Sequence, residues 1–380
     1  MKRPFVIISG IGPSYSGTGA LMQWLVAAAD GDASVRFVYK KERGREFRKL
    51  IEYVINRTGF RWMVRRAAKS EGEVILFHPQ TIGLRALRDI IEPRELTWMY
   101  VLDASAFCLR SYNCLPSESA PCLRCVGNDG AAAKPNGCVN GFGSGPFQKY
   151  LPSWVRSGKL RLIAQCESQA ELLRAHFGRE TRVAVVPLAV PDIMPPEGDV
   201  TRPKRERPLA VYHGAPLVAK GIAHAVALAK AMPDWDFLVP SSLHDLNRNF
   251  EGPETYPPNL ITQQLGWSWG LSEQVKLADV VLCPSSWSAP VEGAVLKSLA
   301  HNGLVGLCVH DTSFASEIPA EARVLIDPRD LEGTAARLRG LMARPDEAAA
   351  IRTAARRFIA QYAERSQTML GSLRAACGLT

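Results

Sequence analysis

The feature that most constrains the fold is an alternation of short apolar segments and helix-like segments that runs through the chain twice. The first half opens with the apolar PFVIIS, a glycine-rich turn and the helix-like GALMQWLVAAA, and continues through EVILFH, TWMYVLD, KLRLIAQ and RVAVVPL. The second half restarts with PLAVYHG and KGIAHAVALAKAM. Short apolar strands alternating with helices are typical of doubly wound α/β domains. The sequence therefore predicts two such domains.

A proline-rich, charged segment separates the two halves. The chain has 380 residues, whereas a single hydrophobic core stops growing at roughly 250–300 residues. We predict an N-terminal domain over 1–194, a linker over 195–208 and a C-terminal domain over 209–360, with a final helix at 361–380 that packs back on the N-terminal domain. Ligands of open α/β sheets bind at the carboxyl ends of the strands, so two such domains are expected to face each other across a cleft.

Positive charge is concentrated in the first half of the chain. The formal net charge is +9, and the crowded stretch contains Arg36, Lys40, Lys41, Arg43, Arg45, Arg48, Lys49, Arg57, Arg61, Arg65, Arg66 and Lys69. Nucleic acid, an anionic membrane surface and a phosphorylated acceptor would all suit such a stretch, and a solvated helix face is the plain alternative. Because no nucleic-acid motif accompanies it, we favour peripheral contact with an anionic membrane and expect no nucleic-acid partner.

The compartment is predicted from apolar runs. None reaches the ~18 residues that a membrane-spanning helix needs. The opening MKRPFVIISGIG is typical of a buried strand and a glycine turn rather than of an export signal. We expect a cytoplasmic protein that reaches the inner face of the plasma membrane through peripheral contact.

Two glycine-containing turns are candidate anion sites. SGIGPSYSGTGA carries Gly17 and Gly19 where a strand gives way to a helix, but its spacing does not match a dinucleotide fingerprint, and a tight turn alone is the alternative. In YHGAPLVAKGI, Gly214 follows a strand and Lys220 opens the next helix. A lysine there can meet a diphosphate and stabilise its departure, whereas a solvent-exposed lysine is the alternative.

A third segment, CPSSWSAPVEGAVLKSLAHNG, begins a helix after a buried strand. Ser285 follows the strand, and Glu292 and Gly293 start the helix, whose N-terminus suits a phosphate. The Glu292 carboxylate can accept hydrogen bonds from ribose or sugar hydroxyls. An acidic residue that only complements the helix dipole is the alternative.

The second half resembles the donor-binding domain of the retaining glycosyltransferase family 4, which has the GT-B fold. HGAPLVAKG, NLITQQLGW, ADVVLCPSSW and GAVLKSLAHNG occur in the family's order. In the first half, SGIGPSYSGTGA is similar to the family's glycine-rich acceptor-side loop and FHPQT to its strand-end histidine. The resemblance implies a hexosyltransferase that moves a sugar from a nucleotide diphosphate sugar to a saccharide or lipid-linked acceptor, with retention, in bacterial surface polysaccharide or glycoconjugate synthesis. It also implies that the transfer needs no metal.

Two departures from the family pattern concern the donor site. Ala215 stands where the family commonly has an arginine, and Ala289 and Lys297 stand where it has two glutamates. We hypothesise that Glu292 partly replaces the missing carboxylate and that Lys297 replaces the arginine as a phosphate ligand. The predicted donor-binding residues are Gly17, Gly19, Gly214, Lys220, Ser285, Glu292, Gly293 and Lys297.

The acceptor side offers His78 at the end of EVILFH and Asp103 at the end of MYVLD. In the family's front-face transfer, such side chains orient the donor sugar or the acceptor hydroxyl rather than act as strong bases. These two are the predicted catalytic residues. A structural histidine is the alternative for His78.

Five of the nine cysteines fall in one polar loop, predicted over 104–146: Cys108, Cys114, Cys122, Cys125 and Cys138. Their spacing favours a structural metal, either zinc or an iron–sulfur cluster. Disulfides are the second interpretation and free thiols the third. Many family relatives carry a similar cysteine-rich insertion here. We expect Cys166, Cys283, Cys308 and Cys377 to be ordinary buried or terminal thiols.

Three other functions compete with the leading one. A degenerate GT-B protein would serve as a non-catalytic binding subunit, and the loss of the glutamate pair is the feature that favours it. A nucleotide-sugar 2-epimerase shares the architecture but needs acidic and histidine side chains around the sugar that the sequence does not place. A redox protein would explain the cysteine loop and leave the second half unexplained.

Overall fold

The computed structural model describes residues 4–14, 17–40, 49–138, 144–196, 200–253 and 255–379, with the backbone alone at 49–57 and 144. The described residues form twelve strands: β1 (Phe5–Ser9), β2 (Val35–Tyr39), β3 (Glu73–Phe77), β4 (Thr97–Tyr100), β5 (Leu160–Ala164), β6 (Val183–Val185), β7 (Leu209–Tyr212), β8 (Asp236–Val239), β9 (Leu260–Thr262), β10 (Val280–Cys283), β11 (Val305–Leu307) and β12 (Val324–Leu325).

Thirteen α-helices accompany the strands in the described part of the chain. They are α1 (Gly17–Ala28), α2 (Lys49–Ala68), α3 (Pro79–Ile82), α4 (Leu84–Ile91), α5 (Ser144–Arg156), α6 (Glu167–Phe177), α7 (Ile222–Ala231), α8 (Leu243–Asn249), α9 (Leu271–Leu277), α10 (Gly293–His301), α11 (Leu331–Ala343), α12 (Pro345–Gln367) and α13 (Met369–Ala376).

The chain divides into two compact units. The first unit contains Met1–Asn113, Leu123–Pro191 and Arg365–Thr380, and the second contains Cys114–Cys122 and Asp192–Glu364. The division therefore places the end of the chain, with α13, in the first unit.

The first unit is built on a parallel sheet with the strand order β2-β1-β3-β4-β5-β6. All five side chains of β1 are buried, as expected for a strand that is covered on both faces of a parallel sheet. Its core joins Phe5 and Phe77 in the sheet with Met369 and Leu373 from α13. The strand order reverses between β1 and β3, and ligands of such sheets bind at the carboxyl ends at that reversal.

The second unit has a parallel sheet in the order β12-β11-β10-β7-β8-β9. Its core packs Trp235 and Phe237 against Leu282 and Leu338. The order reverses between β7 and β10, so the ligand-binding edge of this sheet lies where those two strands end. The predicted α/β class is confirmed in both units.

Residues of the predicted linker are attached to the second unit. Arg205 donates to the carbonyl of Leu277 (2.9 Å), and Arg202 donates to the carbonyl of Ala278 (3.1 Å). Both carbonyls lie at the end of α9, where cations complement the helix dipole. These contacts attach this part of the predicted linker to the second unit.

No helix in the described part of the chain is both long enough and apolar enough to span a membrane.

Candidate functional site

The second unit gathers most of the predicted donor-binding residues where β7 and β10 end. His213 and Gly214 follow β7, and Pro284 and Ser285 follow the neighbouring β10. Ser285 is buried and lines a small cavity together with Glu292. Because the strands are parallel and adjacent, their following turns meet at one edge of the sheet.

A sharp turn brings Lys220 to this edge. Val218–Lys220 form a single 3₁₀ turn, and Gly221 then takes a left-handed backbone conformation (φ 77°) before α7. A Cβ at Gly221 would overlap the carbonyl oxygen of Pro284, so only glycine permits this close approach. The amide of Ser286 donates to the carbonyl of Ala219 (2.9 Å). The Lys220 turn and the turn after β10 are therefore fixed against each other.

Lys220 forms an ion pair with Glu292, which occupies the N-cap position of α10. Their side chains are only 19% and 11% exposed, respectively, so the pair is largely removed from water. The Lys220 ammonium also lies 4.7 Å from the centre of the Trp287 ring. Burial of a charge requires such compensation, and here a carboxylate and an indole supply it.

Lys297, on α10, has a similar environment. Its ammonium lies 3.6 Å from the carboxylate of Asp192 and 4.5 Å from the centre of the Trp267 ring. Burial lowers the pKa of Lys297 despite the opposing effect of Asp192. The chain thus contains two lysine groups of the same composition: Lys220 with Glu292 and Trp287, and Lys297 with Asp192 and Trp267.

His213 joins the second lysine group to the end of β7. Its ring stacks on Trp267, with the ring centres 5.3 Å apart and the planes 6° apart. Its Nδ1 contacts the Ser298 hydroxyl at 2.8 Å. Burial lowers the pKa of His213 to about 3, and the positive charge of Lys297 lowers it further. The imidazole is therefore neutral at physiological pH and supports the indole rather than binding an anion by charge.

Cys283 connects the two lysine groups. Its thiol contacts the carbonyl of His213 (3.4 Å) and the hydroxyl of Ser298 (3.5 Å). Burial raises the pKa of the Cys283 thiol to about 12; the Ser298 hydrogen bond and Lys220 oppose this shift, while Glu292 adds to it. A thiol with such a pKa is unreactive. The expectation that Cys283 is an ordinary buried thiol is confirmed, and Cys166, Cys308 and Cys377 are buried as well.

Gly214 and Gly293 lie at the same edge. A Cβ at Gly214 would approach the Tyr212 hydroxyl to 3.0 Å. Gly293 is the first residue of the nine-residue helix α10, whose first N–H groups have no partner within the helix. With both lysine groups, this edge can stabilise a group that carries more than one negative charge.

The glycine-rich loop of the first unit lies at the corresponding edge of the other sheet. A Cβ at Gly10 would overlap Thr81, and one at Gly12 would overlap the carbonyl of Lys40. Gly17 and Gly19 are in the first turn of α1, where Gly19 is buried and a Cβ at Gly17 would meet open space. These two predicted donor-binding glycines thus belong to the first unit, whereas the other six donor-binding residues belong to the second.

His78 follows β3 and has an uncommon backbone conformation. Its φ is 48° and its ψ is 56°, a left-handed geometry that costs free energy in a residue with a side chain. Its Nδ1 lies 3.0 Å from the Thr81 hydroxyl. Burial lowers the pKa of His78, and Lys40 adds to this effect while Asp103 opposes it.

Gln80, which the sequence did not predict as a site residue, links Asp103 to His78. Gln80 donates from Nε2 to Asp103 Oδ2 (3.0 Å), and the same nitrogen lies 3.4 Å from His78 Nε2. If Gln80 donates to both, Nε2 of His78 is the unprotonated nitrogen and Nδ1 carries the proton. The other Asp103 oxygen accepts from the amide of Ser105 (2.8 Å). The two predicted catalytic residues are thereby joined in one hydrogen-bonded group.

The described residues of the cysteine-rich loop show no metal-binding cluster. Cys108, Cys114 and Cys125 are buried, and Cys122 and Cys138 are half-buried. Across the described residues, which include all five of these cysteines, no three His, Cys, Asp or Glu side chains are arranged to hold a metal ion. The segment Cys114–Cys122 belongs to the second unit, while the remaining cysteines of the loop belong to the first. The structure therefore gives no support to zinc or an iron–sulfur cluster. The predicted loop over 104–146 also overlaps α5, which begins at Ser144.

Part of the basic stretch lies outside the described residues, namely Lys41, Arg43, Arg45 and Arg48. Lys49 and Arg57 are described by their backbone alone. The remaining cations of the stretch are Arg36, on β2, Lys40, which follows it, and the group Arg61, Arg65, Arg66 and Lys69 on and just after α2.

Comparison with known proteins shows the fold. No protein-family model matches the chain, and no curated protein sequence matches it. Sucrose-phosphate synthase from Thermosynechococcus elongatus superposes with a TM-score of 0.65 at 13% identity, over 99% of each chain. Anabaena HepE in complex with UDP gives 0.61 at 10% identity, over 98% of this chain and 100% of that one.

A third solved structure is an α,α-trehalose-phosphate synthase (UDP-forming) from Burkholderia vietnamiensis. It gives a TM-score of 0.59 at 15% identity, over 99% of this chain and 96% of that one. Together with the two parallel six-stranded sheets, these likenesses confirm the predicted fold class: the fold is that of the GT-B glycosyltransferases.

Proposed function

We propose that this protein is a glycosyltransferase that binds a nucleotide diphosphate sugar on its second unit and transfers the sugar to a saccharide or lipid-linked saccharide. The observation that carries the proposal is the pair of lysine groups at the reversal of the second sheet. Lys220 and Lys297 each lie against a carboxylate and an indole; Lys220 pairs with Glu292 at the N-cap position of α10, and Lys297 lies on α10 itself.

The chemistry of transfer suits this edge. When the bond from the sugar to the diphosphate breaks, negative charge develops on the diphosphate, and fixed cations and helix N-termini stabilise it. Lys220, Lys297 and the first amides of α10 have this role in our proposal. The Pro-Ser turn at Ser285 and the backbone at Gly214 would lie against the donor.

Glu292 has two roles in the proposed cycle. Without donor it neutralises Lys220. When the diphosphate binds Lys220, the carboxylate becomes available to accept hydrogen bonds from ribose or sugar hydroxyls. This exchange keeps a largely buried ammonium paired at every stage, which avoids the cost of an isolated buried charge.

The first unit has the acceptor role in our proposal. His78 is neutral because its pKa is lowered. Its Nε2 would exchange the 3.4 Å contact with the Gln80 amide for a hydrogen bond from an acceptor hydroxyl, which it would orient. Before the acceptor binds, Gln80, which donates to Asp103, holds the imidazole in place. Gly17 and Gly19 would allow the donor sugar to approach the backbone closely.

The ligands bound in similar structures support the proposed donor and acceptor classes. HepE was solved with UDP and with UDP and glucose. A trehalose-phosphate synthase described as UDP-forming was solved with glucose-6-phosphate. We further propose family 4 membership, transfer of a hexose with anomeric retention, and a place in bacterial surface polysaccharide or glycoconjugate synthesis. A cytoplasmic protein that uses a lipid-linked acceptor would work at the inner face of the plasma membrane.

The test is a transfer assay with a panel of nucleotide sugars and saccharide acceptors. We expect release of nucleoside diphosphate together with a product heavier than the acceptor by one sugar, and NMR of that product to show the anomeric configuration of the donor. Inversion would contradict the retention proposal alone. An epimer formed from donor without acceptor would replace the transferase with a 2-epimerase.

One observation favours a second candidate, a degenerate GT-B protein that acts as a binding subunit. Both lysines are already paired with carboxylates, and the family's glutamate pair is absent. Such a subunit would give no transfer with any donor. It would also give no release of nucleoside diphosphate when acceptor is added.

A further inference from the structure

Helix α2 of the first unit has one buried face and one face exposed to solvent. Phe60, Val64 and Ala67 are buried, and the helix packs against α4 and β2. We call the opposite side the α2 outer face and define it by Arg61, Trp62, Met63, Arg65 and Arg66, all of which are exposed. The helix is already anchored by its buried face, so the outer face is free to contact a surface without rearrangement of the fold.

The α2 outer face exposes large apolar side chains. Trp62 is 62% exposed and Met63 is 38% exposed. The exposed part of the Trp62 side chain does not contribute to packing of the core. The Arg66 guanidinium lies 5.5 Å from the centre of the Trp62 ring, so the indole is held in place beside a cation. Tryptophan and arginine together are the residues that membrane–water interfaces favour.

The charge of the α2 outer face is strongly positive. Arg65 pairs with Asp89 at 3.4 Å, and both side chains are well exposed, so that pair is weak. Within the described residues, no ion pair is seen for Arg61, Arg66 or Lys69. Three cations beside an exposed indole complement a surface that has negative headgroups outside and an apolar interior.

We propose that the α2 outer face docks on an anionic lipid surface, with Trp62 and Met63 at the level of the headgroups and Arg61 and Arg66 on lipid phosphates. A nucleic acid would also attract the arginines, but it gives no reason for an exposed methionine beside the indole. The proposed function supplies only a reason for docking, since a lipid-linked acceptor is presented at a membrane. The docking itself needs neither donor nor acceptor.

The experiment is co-sedimentation of the full chain with vesicles of phosphatidylcholine alone and of phosphatidylcholine mixed with phosphatidylglycerol. We expect binding to the anionic vesicles only, and its loss as salt is raised. Trp62→Ala and the double variant Arg61→Glu, Arg66→Glu should each weaken binding, the double variant by at least about 25-fold because each surface cation contributes about fivefold.

Two variants of the second unit serve as matched controls. Trp269 is 57% exposed and Arg357 is exposed on α12; Trp269→Ala and Arg357→Glu should bind vesicles as the natural chain does. Circular dichroism verifies that all variants are folded. Transfer to a soluble acceptor should be unchanged in the α2 variants, which separates failure of docking from failure of the proposed function.

Three results would overturn the docking proposal. The first is a natural chain that does not bind anionic vesicles. The second is equal loss of binding in the α2 variants and in the controls. The third is binding to duplex DNA or RNA that competes with the vesicles and depends on the same α2 residues, which would assign this face to nucleic acid.

Discussion

Each lysine of the proposed donor site is held by a carboxylate and an indole, and this arrangement explains how two ammonium groups can be kept at one edge of a sheet without a ligand. The sequence predicted Lys220 and Glu292 from their positions at the start of helices, and Lys297 from the place of a family glutamate that it occupies. It did not predict Trp287 and Trp267 as their partners. Those contacts depend on how loops distant in sequence meet, and no local pattern encodes that.

Gln80 provides a test of the acceptor group at the scale of one residue. Gln80→Leu removes the donor to Asp103 and to His78. We expect the transfer rate to fall by about 10- to 100-fold, because small errors in orientation are costly in catalysis. Affinity for the nucleotide should not change. Steady-state kinetics together with nucleotide titration measure both quantities.

The conservative variant Gln80→Glu separates positioning from mere structural damage. The introduced carboxylate would repel Asp103 near neutral pH and could donate a hydrogen bond only when protonated. Activity should therefore recover partly as the pH falls. A flat pH profile, or activity equal to that of the natural chain at every pH, would show that Gln80 does not position the pair.

His213 makes a prediction about pH and stability. Burial lowers its pKa from an ordinary value of 6.5 to about 3, so between those values the unfolded chain binds a proton that the folded chain does not. The stabilising contribution is complete above pH 6.5 and is lost as the pH falls. We expect the free energy of unfolding to be lower by about 2 kcal/mol at pH 5 than at pH 7 because of His213. His224, with a pKa lowered to about 4 mainly by burial, acts in the same direction.

Urea denaturation of the natural chain and of His213→Gln at pH 7 and pH 5 measures this contribution. The variant should lose less stability on acidification than the natural chain does. His244 is exposed on α8, and His244→Gln should leave the pH dependence as it was. Identical pH dependence in all three proteins would contradict the account of His213.

At the scale of elements, the sequence predicted strands well and their connections less well. Continuous apolar runs such as EVILFH and ADVVLCPS fit parallel strands that are buried on both faces, and β3 and β10 lie in them. The sequence does not predict how the linker segment is attached, because the attachment depends on Arg202 and Arg205 donating to carbonyls at the end of α9. Arginine-rich segments give no sign in the sequence of whether their side chains are solvated or bound.

Gly221 tests the connection between the Lys220 turn and β10. Gly221→Ala places a Cβ into the carbonyl of Pro284 and keeps an unfavourable left-handed backbone. We expect a loss of about 2–5 kcal/mol in the free energy of unfolding and a loss of donor binding as Lys220 is displaced. Chemical denaturation and nucleotide titration report the two effects.

Gly31 is the matched control, since it has nearly the same φ (76°) but open space at its Cβ position. Gly31→Ala should cost only about 1–2 kcal/mol, which is the backbone term alone, and should leave donor binding intact. Equal effects of the two substitutions would mean that contact with Pro284 is unimportant.

For the whole molecule, the chain returns to the unit in which it began. Met369 and Leu373 of α13 are fully buried in the core of the first unit, and Arg374 donates to Asp32 at 2.9 Å. Helical residue preference predicts the tail as helix, and α11, α12 and α13 confirm it. Where the tail packs is a long-range property that depends on the matching of two apolar surfaces.

Leu373→Ala tests this arrangement. Truncation of a fully buried leucine costs about 2–5 kcal/mol, and we expect the effect to appear as faster hydrogen exchange in β1 and β3 of the first unit. Leu338→Ala, at an equally buried position of the second unit, should instead speed exchange in β8 and β10. If Leu373→Ala affected only the second sheet, α13 would belong to the other core.

The central claim is that the edge of the second sheet at β7 and β10 binds a nucleotide diphosphate sugar through Lys220. It is tested most directly by calorimetric titration of the natural chain, Lys220→Ala and Lys276→Ala with UDP, GDP and their common sugar conjugates. Lys276 is the matched lysine, paired with Glu273 on α9. We expect one nucleotide to bind the natural chain and Lys276→Ala equally, and to bind Lys220→Ala about 10- to 100-fold more weakly, as loss of a charge-assisted hydrogen bond implies. Absence of binding by any nucleotide, or equal binding to all three proteins, would contradict the account.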